Sequence, residues 1–230
     1  RDIRTAPSPA SGGVPNPTSE YIQQASLSPT QLPEARRILV VIDLNGTLLY
    51  RPNLKTPSKF TERPHARTFL DYCIRTFKVA IWSSARPPNV HKMLLQLLTP
   101  EQREQVVAVW ARDTLGLTPA DYSARVQVYK RLEKLWQDPA ISASHPEAAL
   151  GRKWDQTNTV LVDDSVEKAR SQPFNLIGLP EFKGNEAEYG HVLPQVHDFL
   201  NECTKQRDVS CYIRSNPFVL REGFSLEPPP

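Results

Sequence analysis

Carboxylates and hydroxyls stand at the ends of three apolar runs that read as buried strands. The residues that follow these runs are Asp43, Ser83 and the pair Asp163-Asp164. The carboxyl ends of parallel strands meet at one edge of a sheet, so these side chains are expected to converge in a cleft. Carboxylates in one cleft repel each other unless a cation lies between them, and Mg²⁺ prefers such hard oxygen ligands together with a phosphate. The pattern therefore indicates phosphoryl transfer with an aspartate nucleophile.

A lysine would complete this chemistry by holding phosphate oxygens, and the sequence offers two candidates. Lys130 lies near the start of a predicted helix over 128–136. Lys153 is closer in sequence to the fourth strand but falls in a predicted surface insertion over 138–156, which is rich in helix breakers. We favour Lys130, while the alternative for either lysine is a solvated surface charge, the ordinary state of this residue.

Each motif also has a simpler interpretation. Strands often end in Asp because this residue starts turns, and Asp163-Asp164 could equally cap a helix. Ser83 could be a plain turn residue, with Ser84 as the true phosphate ligand. The coincidence of several motifs that suit one chemistry favours the functional interpretation.

The elements that must position these residues are strands alternating with helices. The predicted strands are 38–42, 78–82, 106–111, 158–162 and 175–179. The predicted helices are 64–77, 87–98, 128–136, 166–171 and 192–200. This alternation predicts an α/β fold with a doubly wound parallel sheet and right-handed crossovers, over one core at 36–201. A polar loop over 51–63 follows the first strand, and there is no room for a large cap domain.

The ends of the chain differ in composition from this core. Residues 1–35 mix Pro, Ser, Thr and Gly with few large apolar residues, which predicts a disordered or loosely docked arm. Residues 202–230 form a C-terminal extension that ends in a proline tail. Its apolar residues are expected to pack on the body or contact a partner.

Charge and hydropathy exclude several classes of protein. With 28 basic and 25 acidic residues the net charge is only +3, so direct nucleic-acid binding is not expected. No apolar run approaches the roughly 18 residues of a membrane span. Three cysteines without metal-ligand spacing favour a reducing compartment, nuclear or cytoplasmic, with a mitochondrial location still open. The oligomeric state stays open.

The motifs resemble those of the haloacid-dehalogenase superfamily. Residues 43–47 look like its Asp-x-Asp-Gly-Thr signature, 81–85 like its second motif and 160–165 like its fourth. Arg63-Pro64 and the stretch 175–182 are similar to the FCP1-homology branch. That branch contains the polymerase II C-terminal-domain phosphatases and the NLI-interacting-factor-like proteins. The resemblance covers most of 36–201.

This resemblance implies a Mg²⁺-dependent phosphatase that removes phosphate from phosphoserine or phosphothreonine in a protein or peptide. Asp43 would accept the phosphoryl group as an aspartyl-phosphate. The implied metal ligands are Asp43, Asn45 through its main-chain carbonyl, Asp163 and Asp164. The implied phosphate-binding residues are Leu44, Asn45, Ser83, Ser84 and Lys130. The implied catalytic set is Asp43, Asn45, Ser83 and Lys130.

Asn45 departs from the pattern, since the active phosphatases carry at this position an Asp that serves as general acid and base. An amide hydrogen-bonds but exchanges no proton at neutral pH. Losing such a group typically costs about 10²–10⁴-fold in rate. Three interpretations stay open: a slow enzyme that needs a good leaving group, a pseudophosphatase that binds partners as in the mitochondrial translocase-subunit branch, or an engineered replacement of Asp by Asn. A phosphatase is our first prediction and a binding or scaffold protein the alternative. A small-metabolite phosphatase ranks third because the site has no enclosing cap.

Overall fold

A five-stranded parallel sheet forms the centre of the computed structural model, which describes residues 4–226 except 186, 187 and 189. The strands are β1 (Leu39–Ile42), β2 (Leu49–Tyr50), β3 (Thr61–Glu62), β4 (Lys78–Trp82), β5 (Ala108–Trp110), β6 (Thr159–Asp163) and β7 (Leu176–Gly178). The order in the sheet is β5-β4-β1-β6-β7. All four residues of β1 are buried, as expected for a central strand covered on both faces. The predicted α/β fold with a parallel sheet is confirmed.

Nine α-helices in the described residues surround the sheet. They are α1 (Ser19–Ala25), α2 (Ala66–Thr76), α3 (Pro87–Leu97), α4 (Pro100–Gln105), α5 (Pro119–Ser123), α6 (Leu132–Gln137), α7 (Pro139–Ala143), α8 (Val192–Thr204) and α9 (Val209–Ser215). Proline occupies the first turn of α3, α4, α5 and α7, where its missing N–H leaves no hydrogen bond unmade. No helix among the described residues is long and apolar enough to cross a membrane.

Alternate residues of β1 face two separate apolar clusters. Val40 and Ile42 pack in the cluster that contains the apolar faces of α2, α3 and α8. Leu39 and Val41 pack on the other side, against residues that include Trp154. Helices therefore cover both faces, as in a doubly wound sheet. Between β1 and α2, where the sequence predicts a polar loop, β2 and β3 form a small antiparallel pair.

The segment that carries Lys130 differs from the prediction. The sequence predicts a helix over 128–136, whereas α6 begins only at Leu132. The main-chain N–H of Lys130 donates to the carbonyl of Lys168 (2.8 Å), and that of Leu132 donates to the side chain of Gln172 (2.9 Å). These long-range partners replace the hydrogen bonds of a first helical turn, so Lys130 lies before the helix and not in it.

Two further segments also differ from their predictions. The predicted helix over 166–171 is only a 3-10 helix, Glu167–Ala169. The predicted surface insertion over 138–156 buries Ile141 and Trp154 in the second apolar cluster. The indole N–H of Trp154 donates to the Ser144 hydroxyl (3.0 Å), which satisfies its polar end.

The N-terminal arm lies against the body over residues 4–35. The hydroxyl groups of Ser8 and Ser11 donate to the carboxylate of Asp121 (2.7 and 2.5 Å). The Tyr21 hydroxyl donates to Asn175 in a buried contact of 2.8 Å. Docking of the arm is thus one of the two alternatives that the composition leaves open. At the other end, α8 continues past residue 201, and the proline tail over 227–230 lies outside the described residues.

Candidate functional site

Asp43 and Asp163 lie side by side where two neighbouring strands end. The parallel register sets Ile42 opposite Val162, and the main-chain N–H of Asp43 donates to the Val162 carbonyl (3.0 Å). Both carboxylates are buried, with exposures of 1% for Asp43 and 0% for Asp163. The sheet therefore fixes the two acidic groups at one edge before any side chain is considered.

Lys130 lies between these carboxylates. Its ammonium group donates to Asp43 Oδ1 at 2.8 Å and to Asp163 Oδ2 at 2.6 Å, and the lysine is fully buried. Lys153, the other candidate, is exposed and lines a different pocket together with Arg152. The geometry thus favours Lys130 as the lysine of the site.

Three carboxylates are close enough to share one cation. Asp43, Asp163 and Asp164 each offer an oxygen, and these atoms lie within 4.8 Å of one another. Thr47 organises the group, because its hydroxyl donates to Asp43 Oδ2 (2.9 Å) and accepts from the main-chain N–H of Asp164 (3.2 Å). A donor set made only of hard oxygens fits Mg²⁺.

The charges of the site set the pKa values of its acids. Burial disfavours ionisation of Asp43, but the ammonium groups of Lys130 and Lys168 outweigh it and hold the pKa of this carboxyl below its ordinary value. Burial, together with the negative charge of Asp43, raises the pKa of Asp164 to about 7. Asp43 is thus kept as an anion, which a nucleophile requires, whereas for Asp164 the charges of Lys168 and Lys130 do not outweigh burial and the charge of Asp43.

Asn45 lies in the turn directly after Asp43. Its side-chain oxygen accepts a hydrogen bond from the main-chain N–H of Arg51 (2.8 Å), which assigns the amide orientation. The amide N–H groups of Asn45 are then its remaining hydrogen-bonding atoms, and they are donors only. Gly46 has φ +89°, and a Cβ there would lie 2.7 Å from the Asp164 carboxylate, so the turn requires glycine at this position.

The serines and Leu44 occupy distinct places around this turn. Ser83 follows β4, is 2% exposed, and its hydroxyl accepts from the main-chain N–H of Ala85 (3.1 Å). Ser84 is half-buried and lines the same cleft as Ser83, so both stay candidates for phosphate binding. Leu44 is buried, and its carbonyl accepts from the main-chain N–H of Thr47 (3.1 Å) and of Leu48 (2.8 Å). These hydrogen bonds hold the turn, and the predicted part of Leu44 in phosphate binding stays a prediction.

Lys168 is a site residue that the sequence analysis missed. It is 7% exposed, and its ammonium lies 4.0 Å from Asp163 Oδ1. Burial disfavours its charged form, but Asp163, Asp43 and Asp164 outweigh this and raise its pKa. Its position in the 3-10 helix just after Asp163-Asp164 was the available signal, because this helix follows the strand that carries the acids.

The cleft over these groups has a volume of about 450 Å³ and reaches beyond the acids to a basic rim. Basic side chains that line it are Arg4, Arg51, Lys55, Arg86, Arg112 and Lys168, and the acidic ones are Asp43, Asp164 and Glu181. Arg4 comes from the N-terminal arm, where Thr5 bridges to Val126 and places the start of the arm beside the cleft.

Comparison with known proteins gives a consistent picture. A sequence model of the family described as NLI interacting factor-like phosphatase matches residues 38–210. An uncharacterized FCP1 homology domain-containing protein of Schizosaccharomyces pombe is 32% identical over 227 residues, which is 93% of this chain and 90% of that protein. A putative CTD phosphatase-like protein of Invertebrate iridescent virus 6 is 24% identical over 141 residues, 60% of this chain and 72% of that protein.

Solved structures with similarity to the chain include two of Fcp1. One, described as an essential RNA polymerase II CTD phosphatase, gives a TM-score of 0.45 at 13% identity and covers 74% of this chain and 46% of that chain. The other, fission yeast Fcp1 bound to beryllium fluoride, gives 0.44 at 12% identity and covers 81% of this chain and 54% of that chain. This chain thus spans about half the length of each Fcp1 chain.

Proposed function

The chain belongs to the NLI interacting factor-like phosphatase family, and from this premise we propose that it is a Mg²⁺-dependent phosphoprotein phosphatase. In this proposal it removes phosphate from phosphoserine or phosphothreonine through an aspartyl-phosphate on Asp43. The observation that supports it best is the environment of Asp43. This buried carboxylate, at the end of β1, is held ionised by Lys130 and oriented by Thr47.

In the first step, a carboxylate oxygen of Asp43 attacks the phosphorus of the substrate. The bond from phosphorus to Asp43 forms while the ester bond from phosphorus to the serine or threonine oxygen breaks. Lys130 and Thr47 each bind one oxygen of Asp43, so the nucleophile has a fixed orientation. When bound to Asp43, Asp163, Asp164 and the main-chain carbonyl of Asn45, Mg²⁺ would neutralise charge on the transferred phosphoryl group.

Proton transfer is the step of this mechanism that Asn45 does not perform. The leaving alkoxide needs a proton, and the water that later splits the aspartyl-phosphate must lose one. Asn45 lies where the related phosphatases carry an Asp, and its amide donates a hydrogen bond without transferring the proton. Both protons are therefore exchanged with solvent water, and turnover is expected to be slow by about 10²–10⁴-fold.

A second function, binding without turnover, is favoured by the same residue. With Asn45 in place, the cations and carboxylates of the cleft still suit a phosphorylated partner. The chain would then act as a pseudophosphatase or scaffold, and affinity for a phosphopeptide rather than hydrolysis would be its function.

Hydrolysis of p-nitrophenyl phosphate with and without Mg²⁺ tests the first proposal. We expect slow, Mg²⁺-dependent release of p-nitrophenol, since this aryl leaving group needs little protonation. Asp43→Asn should abolish it, and Asp71→Asn serves as the control because Asp71 is a surface residue paired with Arg75. Absence of turnover, together with phosphopeptide binding that survives Asp43→Asn, would instead support the scaffold.

A further inference from the structure

Arg51 is a buried arginine whose guanidinium group lacks partners. It follows β2 and is 7% exposed, yet its Nε and Nη1 atoms are buried without a hydrogen-bond acceptor in the part of the chain that the structure describes. Buried charged donors in folded proteins are almost always hydrogen-bonded. Because Arg51 also lines the cleft, a ligand there could supply the acceptors.

Arg63 shows how this fold treats a buried arginine that is purely structural. It is 1% exposed, and its donors reach the carbonyl of Thr47 (3.0 Å), the carbonyl of Pro180 (2.8 Å) and the carboxylate of Glu188 (2.9 Å). The two arginines flank the same β2-β3 pair, but only Arg63 is satisfied by protein atoms. Arg36, away from the cleft, has one atom, Nε, that is unpaired among the described residues, but its Nη2 donates to three carbonyls, so Arg51 differs from both arginines in having two unpaired nitrogens.

The position of Arg51 places it beside the phosphoryl site rather than within it. Its main-chain N–H binds the side chain of Asn45, two residues after the nucleophile Asp43. Its side chain lines the cleft but makes no hydrogen bond to the described carboxylates of the site. Lys130 and Lys168 already supply positive charge to Asp43, the proposed acceptor of the phosphoryl group.

The cleft also carries more positive charge than one phosphate needs. Six basic and three acidic side chains line it. Lys168 is balanced by the acids, whereas Arg4, Lys55 and Arg86 form no ion pair with a described residue. A ligand with a second anionic group would match this excess.

We propose that Arg51 is the centre of a second anion subsite, which takes a phosphate or carboxylate group of the same protein substrate next to the transferred phosphoryl group. A guanidinium without protein acceptors on two of its nitrogens can donate charge-assisted hydrogen bonds to either oxyanion. The inference rests on the proposed function, because it takes the first anion to be a phosphorylated side chain at Asp43. The substrates that it selects are multiply phosphorylated or acidic phosphopeptides.

Peptide binding to the full chain tests this subsite. The Asp43→Asn background prevents turnover, and fluorescence anisotropy gives Kd for labelled peptides that share one phosphoserine. Each peptide also carries serine, glutamate or a second phosphoserine at one other position. This position is varied on the N-terminal and C-terminal sides of the shared phosphoserine. We compare this background chain with Arg51→Gln and with Arg152→Gln, a control at an exposed arginine that lines a different pocket.

We expect glutamate or a second phosphoserine, at one or more positions, to tighten binding by about tenfold, as for one charge-assisted contact. Arg51→Gln should remove this gain and leave the neutral peptide within about twofold, while Arg152→Gln should keep the gain. A gain that persists in Arg51→Gln overturns the subsite. An equal loss for all peptides also overturns it, since Arg51 would then bind the transferred phosphoryl group.

A peptide set without the shared phosphoserine separates the two proposals. If the phosphoserine adds no affinity but acidic peptides still depend on Arg51, the phosphatase proposal fails and the anion subsite stands. If binding depends on the phosphoserine but not on Arg51, the phosphatase proposal stands and the anion subsite fails. If binding depends on neither group, both proposals are overturned.

Discussion

The main-chain N–H of Arg51 donates a 2.8 Å hydrogen bond to the side-chain oxygen of Asn45. An aspartate at position 45 could accept the same hydrogen bond with one oxygen and keep the other for proton transfer. The turn would keep its shape, because the two side chains are nearly isosteric. The departure from the family pattern is thus a change in chemistry at a position whose geometry suits an acid.

Asn45→Asp should accordingly raise turnover. We expect a gain of about 10²–10⁴-fold in kcat with a phosphoserine peptide, because a general acid and base is restored. The gain should be smaller with p-nitrophenyl phosphate, whose leaving group needs little protonation. Asn216→Asp adds the same charge at an exposed position and should change nothing. If Asn45→Asp stays as slow as the parent chain while folded, the missing proton carrier is not what limits this site.

Lys130→Met should lower stability as well as activity. Removing the ammonium leaves two buried carboxylates, Asp43 and Asp163, without their partner. Breaking a buried ion pair in this way costs about 3–5 kcal/mol in the free energy of unfolding, which urea denaturation measures. Lys153→Met, at an exposed lysine, should stay within about 0.5 kcal/mol.

A second substitution isolates the electrostatic part of this effect. Asp163→Asn in the Lys130→Met background removes one of the two uncompensated charges and should recover part of the lost stability. A double variant that loses the sum of the two single losses would show that Lys130 stabilises the fold through packing alone.

Arg51→Met should make the protein more stable, which is unusual for a buried residue. The guanidinium is desolvated without compensating hydrogen bonds, and an apolar side chain of similar length removes that cost of about 1–3 kcal/mol. For a chain of this size, 1 kcal/mol corresponds to a rise of about 2–4 °C in Tm. Arg63→Met is the contrast, because it orphans the acceptors on Thr47, Pro180 and Glu188 and should lower Tm. A fall in Tm for Arg51→Met would mean that Arg51 serves the fold.

The parts of the site that sequence could predict are those set by local pattern. Asp43, Ser83 and Asp163 each follow an apolar run, and the rule that parallel strands end at one edge needs no knowledge of distant contacts. The same holds for the α/β fold, since apolar strand runs and helical periodicity both repeat over a few residues. These predictions depend on neighbours in sequence, which is why they transfer to the structure.

The parts that sequence could not predict depend on contacts between distant segments. Lys168 follows Asp163-Asp164 closely in sequence, but only the 3-10 helix Glu167–Ala169 brings its ammonium to 4.0 Å from Asp163. Arg63 is buried by its pairing with Glu188, 125 residues later in the chain. The segment before α6 is not helical because the main chain of Lys130 bonds to that of Lys168, while its local sequence favours a helix. In each case tertiary contacts override the local preference.

Mg²⁺ should raise the Tm of the chain, and Asp164 should be needed for this effect. A ligand that binds only the folded state stabilises it by about 2.7 kcal/mol at a hundred times its Kd, which predicts a rise of about 5–10 °C in Tm. Asp164→Asn should weaken this response, whereas Asp71→Asn should keep it. The same variant should raise Tm in EDTA, because Asp164 is a half-buried carboxylate close to the negative charge of Asp43. Calorimetric scans with increasing MgCl₂ measure both effects. If the Tm of the parent chain does not change with the MgCl₂ concentration, Lys130 and Lys168, rather than a divalent cation, neutralise the three acids.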